Sequence, residues 1–157
     1  PSTVSTIQEY MFTYHSKLET ITIAEMNPNY KSINGVLFNK NGNELIQYPS
    51  GNKATTYTIP TDVTTLKDKS FYQNTKLYEI ILNDNLQNVG ESAFEGVTNV
   101  RTLTLPQSLT TIGTNSFNGA IGLESIVIPS LVNSINTEAF FNINRFCSRN
   151  YFTHNFF

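Results

Sequence analysis

The chain has 157 residues, enough for one domain with a continuous core, and only 14% of them are charged; soluble domains usually carry roughly 25%, so this surface must be polar mainly through amides and hydroxyls. The formal net charge is −2, and the scattered cations are never denser than Lys67 and Lys69, which offers no stripe to displace counterions from a nucleic-acid backbone and argues against nucleic acid as a partner. A single cysteine, Cys147, and two distant histidines, His15 and His154, make neither an intramolecular disulfide nor a zinc site, and no apolar run reaches the ~18–20 residues of a membrane-spanning helix.

The N-terminal segment sets the pattern. Val4, Ile7, Phe12, Leu18, Ile21 and Ile23 mark apolar slots at −8, −5, 0, +6, +9 and +11 from a phenylalanine. No basic segment followed by an apolar stretch opens the chain, so no leader is visible. Pro1 falls on what later proves a proline slot, so the chain is expected to open on a repeat boundary, as a trimmed domain or processed fragment.

From Ile23 to the equivalent Ile59 the spacing is 36, or 23 plus 13, so something is inserted. Ser32 to Phe38 and Glu44 to Pro49 are apolar runs around the loop Asn39-Lys40-Asn41-Gly42-Asn43. This predicts a β-hairpin, within about residues 27–55, projecting from the solenoid or splicing into it.

Beyond the insert the period is unbroken: Phe71, Phe94, Phe117 and Phe140 follow one another at 23 residues, each preceded by a small residue, Ser70, Ala93, Ser116 or Ala139. The flanking slots repeat with them, for example Leu66, Val89, Ile112 and Ile135 at −5. The pairs Tyr57 and Ile59, Ile80 and Leu82, Leu103 and Leu105, Ile126 and Ile128 alternate with period two, and Pro60, Pro106 or Pro129 follows three of them. Each reads as a short strand ended where a backbone donor disappears. One such unit cannot bury its own apolar side, so neighbours must stack and their strands pair in parallel. The opposite wall is expected to be turns, short 3₁₀ pieces or a brief strand. After Phe146 the register fails, with Arg149 and Tyr151 on apolar slots, and residues 147–157 read as an aromatic tail that caps the stack or contacts another copy.

This pattern, apolar-x-apolar-Pro-x-x-apolar-x-x-apolar-x-x-x-small-Phe-x-x-x-x-x-Leu, resembles the BspA-like, or Treponema pallidum, class of leucine-rich repeats. The insert Asn29 to Phe38 and Leu45 to Pro49 is similar to a hairpin often found in that class. The resemblance implies an α/β, β-rich repeat solenoid over residues 1–146: a right-handed leucine-rich-repeat coil with a parallel strand ladder and one inserted β-hairpin. The chain departs from the class at the slot three residues after Phe, often Cys there but His15, Asn74, Val97, Ala120 and Ile143 here, and at the strand-ending proline, replaced by Ala24 and Asn83. The resemblance also implies a cell-surface or secreted protein of adhesion and partner binding.

The residues point to no chemistry of their own. There is no Gly-x-Ser-x-Gly elbow, carboxylates such as Asp62, Asp84, Glu91 and Glu95 fall between the slots of different coils as solvated turn residues, and His15 reads as a core or half-buried structural residue. No catalytic residue, metal ligand or cofactor is expected. Strand alternation directs Thr20, Thr22, Thr58, Glu79, Ile81, Thr102, Thr104, Ser125 and Val127 outward, and these are the candidate binding residues. Two readings of that face stay open, a partner surface and the bare preference of β-branched residues for strands. The expected function is a non-enzymatic protein-binding or adhesion module, its ligand a protein or glycan of a host or neighbouring cell. The alternative is an architectural repeat segment or assembly subunit that self-associates through the solenoid ends.

Overall fold

The computed structural model describes residues 2–8 and 10–143, so the expected tail at 147–157 lies outside the described residues. The described residues form nine short strands, β1 (Tyr30–Ile33), β2 (Val36–Asn39), β3 (Glu44–Gln47), β4 (Thr56–Thr58), β5 (Thr65–Leu66), β6 (Glu79–Ile81), β7 (Asn88–Val89), β8 (Thr111–Ile112) and β9 (Ser134–Ile135). Among the described residues there is no helix, which corrects the α/β class to a β-rich coil. The cause lies at the corners. Left-handed backbone recurs two residues before and two residues after each phenylalanine, at Lys69 and Gln73, Ser92 and Gly96, Asn115 and Gly119, Glu138 and Asn142. A right-handed helix cannot propagate through a left-handed residue every fourth position.

The coil has three hydrogen-bonded columns. The longest sheet has the order β1-β2-β3-β5-β7-β8-β9, its last five strands parallel, with registers such as Leu66↔Val89 and Val89↔Ile112. It forms at the slot five residues before Phe, the wall expected to be turns or a brief strand. The expected strand slot gives a shorter sheet, β4 parallel to β6, continued by one parallel bridge between Thr102 and Ser125. The third column is the phenylalanine corner. Phe71, Phe94 and Phe117 donate their backbone N–H to the carbonyls of Ala93, Ser116 and Ala139 at 2.7–2.8 Å, and their rings stack at 5.2–5.3 Å.

The ring column begins one residue type earlier than the phenylalanines suggest. Tyr48, 23 residues before Phe71, stacks on it at 5.2 Å and donates its N–H to Ser70 O. The insert-bearing coil thus keeps its corner, and the surplus residues lie ahead of it. They form three antiparallel strands, not two: the apolar run Ser32 to Phe38 is broken at Asn34-Gly35, whose φ values of 50° and 80° make a type I′ turn between β1 and β2. Asn39 shapes the next loop by accepting the N–H groups of Gly42 and Glu44 on Oδ1. β3 then enters the parallel ladder beside β5, with Leu45 opposite Leu66. The insert splices into the solenoid.

The core runs from the insert, at Val36, to Ile143, with Val63, Leu66, Phe71, Leu77, Leu86, Leu109, Ile112 and Phe117 fully buried. Backbones approach closely where side chains are absent. A Cβ on Gly113 would lie 2.6 Å from the carbonyl carbon of Gly90 in the preceding coil.

Candidate binding face

β4 and β6 place the outward residues. Ile80 is 4% and Leu103 5% exposed, whereas Ile81 beside Ile80 is 47% exposed, Thr102 and Thr104 flanking Leu103 are exposed, and Val127 is 76% exposed, so the alternation read from the sequence holds across this wall. Thr20, Thr22, Thr58, Glu79, Ile81, Thr102, Thr104, Ser125 and Val127 are all exposed. Pairing brings Thr58 beside Ile81, Thr56 beside Glu79 and Thr102 beside Ser125.

Thr20 and Thr22 are not brought into that sheet. The donors on either side of Thr22 go to the insert: Ile21 N–H to Gly35 O and Ile23 N–H to Ser32 Oγ, both at 2.8 Å. The Asn34-Gly35 turn packs so closely on the first coil that a Cβ on Gly35 would meet Thr20 Cγ2 at 3.0 Å. The strand face therefore begins at the coil of β4, and the first coil presents its threonines beside the turn.

One exposed residue of this wall was not foreseen. Tyr78 directly precedes β6 and is 61% exposed; its N–H donates to Thr55 O. It escapes strict alternation because it sits at the bend into the strand, so period-two reasoning passes over it. The charges along the same row neutralise each other, Arg101 pairing with Glu124 at 3.4 Å. The uncompensated apolar groups are Tyr78, Ile81 and Val127.

Away from this wall, a cleft of about 300 Å³ opens between the first coil and the insert and is lined by Ile7, Met11, Phe12, Tyr30, Glu44 and Ile46 among others. Nearby, Lys69 Nζ lies 3.8 Å from the centre of the Tyr10 ring. Tyr14 meets Tyr72 edge-on, their hydroxyls 3.4 Å apart. That contact pushes the Tyr72 hydroxyl up to about 12, with burial adding to it. His15, expected in or near the core, is exposed, its Nδ1 2.9 Å from Thr13 O. Among the described residues no group of three or more His, Cys, Asp or Glu is placed to hold a metal ion, and no helix is long and apolar enough to cross a membrane.

The sequence profile of the BspA type leucine rich repeat region matches residues 1–57 and 50–153, in six copies. No curated protein matches the sequence significantly. Among solved structures, a leucine-rich repeat protein from Eubacterium ventriosum superposes with a TM-score of 0.82 at 25% identity, over 92% of this chain and 45% of its own. A leucine rich cell surface protein from Faecalibacterium prausnitzii does so with 0.79 at 26% identity, over 87% and 36%. The pneumococcal vaccine antigen PcpA gives 0.67 at 28% identity, over 76% and 35%. The chain spans less than half the length of each of these three.

Proposed function

The chain belongs to the BspA-type leucine-rich-repeat family, and from that premise we propose that it is a non-enzymatic, surface-displayed module that binds a protein of a host or neighbouring cell through its β4–β6 wall. The observation that carries this reading is the exposure of Tyr78, Ile81 and Val127 at 61%, 47% and 76% on a wall whose other outward residues are mainly hydroxylic. An aromatic ring and two aliphatics held by a rigid sheet, with little charge to desolvate, is the composition that interface centres favour. Surface display is supported by the relatives: one is named a cell surface protein and another a vaccine antigen.

The test is a biosensor carrying the chain, exposed to surface proteins of epithelial cells and of neighbouring bacteria, with the double substitution Ile81→Lys and Val127→Lys as comparison. Both side chains are solvent-facing, so the unfolding midpoint should hold while captured protein falls at least tenfold. Equal capture by the double variant overturns the assignment of this wall.

A further inference from the structure

We infer that Asn34 is a site of spontaneous deamidation, the one of the chain's three Asn-Gly pairs at which the fold leaves the reaction open. The pairs are Asn34-Gly35, Asn41-Gly42 and Asn118-Gly119. The reaction needs the glycine backbone nitrogen to give up its proton and attack Cγ of the preceding asparagine. It therefore needs a glycine N–H without a hydrogen-bond partner and an asparagine side chain free to swing over it.

Two of the three pairs are tied down. Gly42 N–H donates to both Asn39 O and Asn39 Oδ1, at 3.1 and 2.8 Å. Gly119 N–H donates to Phe141 O at 2.9 Å, and the Asn118 amide is held at both ends, Nδ2 to Asn115 Oδ1 and Oδ1 to Asn142 Nδ2. At the I′ turn the situation is reversed. Gly35 uses its carbonyl, which accepts from Ile21, but its N–H has no partner among the described residues, and the Asn34 side chain is exposed and makes no hydrogen bond among them.

In the step itself the Gly35 N–Cγ bond forms, the Cγ–Nδ2 bond of Asn34 breaks, and ammonia leaves with the proton lost from nitrogen. Water then opens the cyclic imide at either carbonyl, giving aspartate or, by cleavage on the main-chain side, isoaspartate. No other reagent is required. Isoaspartate adds a methylene to the main chain of a two-residue turn whose twist matches its strands. The turn and the strand before it hold the first coil, Gly35 O accepting from Ile21 N–H and Ser32 Oγ from Ile23 N–H, so the modification loosens the first coil from the insert and places a new carboxyl group in the turn that packs on it.

The folded chain would be incubated at mildly alkaline pH, digested, and each Asn-Gly peptide resolved into its Asn, Asp and isoaspartyl forms. Asn34 should convert several-fold faster than Asn41 and Asn118, the three rates should converge in denaturant, and the isoaspartyl form should show faster hydrogen exchange at Ile21. Asn34→Gly, which keeps a turn able to adopt positive φ, should release no ammonia from this site while the other two continue unchanged. Folded-state conversion of Asn41 or Asn118 at or above the rate of Asn34 overturns the inference.

Discussion

The ring column makes a quantitative claim. Phe94 is 2% exposed and stacked on both faces, by Phe71 at 5.3 Å and Phe117 at 5.2 Å. Truncating a buried phenylalanine costs about 3–5 kcal/mol, and two ring contacts of about 0.5–1.5 kcal/mol each place Phe94→Ala near the top of that range. Phe140 keeps one ring partner among the described residues, Phe117 at 5.2 Å, and is half-buried, so Phe140→Ala should cost about 2 kcal/mol. Since a domain of this kind is stable by roughly 5–15 kcal/mol in total, the first loss is a large fraction and the second is not. Equilibrium urea unfolding followed by far-UV circular dichroism, with slopes compared to confirm a single transition, measures both. Equal losses in the two variants, or a Phe94→Ala loss below about 2 kcal/mol, would refute the ring column as the centre of the core.

Four further outcomes are expected. Asn83→Pro restores the proline found at Pro60, Pro106 and Pro129 yet should destabilise by about 1–3 kcal/mol, because Asn83 Nδ2 donates to Pro60 O and Val63 O at 2.7 and 2.9 Å; a raised unfolding midpoint would count against this. Ser70→Ala and Ser116→Ala should each be neutral or stabilising by up to about 1 kcal/mol, since both hydroxyls are buried without a partner among the described residues and the alternate coils already carry Ala93 and Ala139; urea midpoints decide. Gly113→Ala should cost about 1–3 kcal/mol through collision with the Gly90 and Glu91 backbone, read the same way. Tyr72, raised to about 12 by its Tyr14 hydrogen bond first and burial second, binds its proton more tightly folded than unfolded. Its contribution is whole below the ordinary tyrosine value of about 10 and is lost as pH climbs from there through about 12; Tyr14→Phe should move its tyrosinate absorbance titration downward, and an unmoved titration would exclude Tyr14 as the cause.

How far the sequence is readable depends on whether a position is constrained in residue type or only in backbone. The slots of Leu66, Val89 and Ile112 need apolar bulk, so their period shows. The strands they build have two residues each with one inward side chain, too short to display alternation, so from the sequence a brief strand there stands level with turns and 3₁₀ pieces. Left-handed backbone at the corners is equally periodic, but only Asn115, Gly96, Gly119 and Asn142 are types that favour it. Lys69, Gln73, Ser92 and Glu138 adopt it because the stack demands it. Tyr48 is in the same register, but as an aromatic of another type at the end of the insert it does not extend the run of phenylalanines.

The insert also decides where the candidate face starts. In a solenoid each coil touches only its neighbours, so an interruption is felt locally. Here the first coil and the coil of β4 stay joined at one corner, where Gly51 N–H donates to Leu18 O and Asn52 Nδ2 to Glu19 O. A few residues later they part, and the Asn34-Gly35 turn takes the backbone donor of Ile21. The spacing of Thr20 and Thr22 places them in one row with Thr58, but row membership requires lateral pairing as well as period, and the turn occupies the pairing partner. On the proposed reading, a partner lying along the wall would thus meet β4, β6 and the Thr102–Ser125 bridge as one surface and the first coil as another. Substitutions at Thr20 should then report on the turn, while those at Ile81 and Val127 report on the wall.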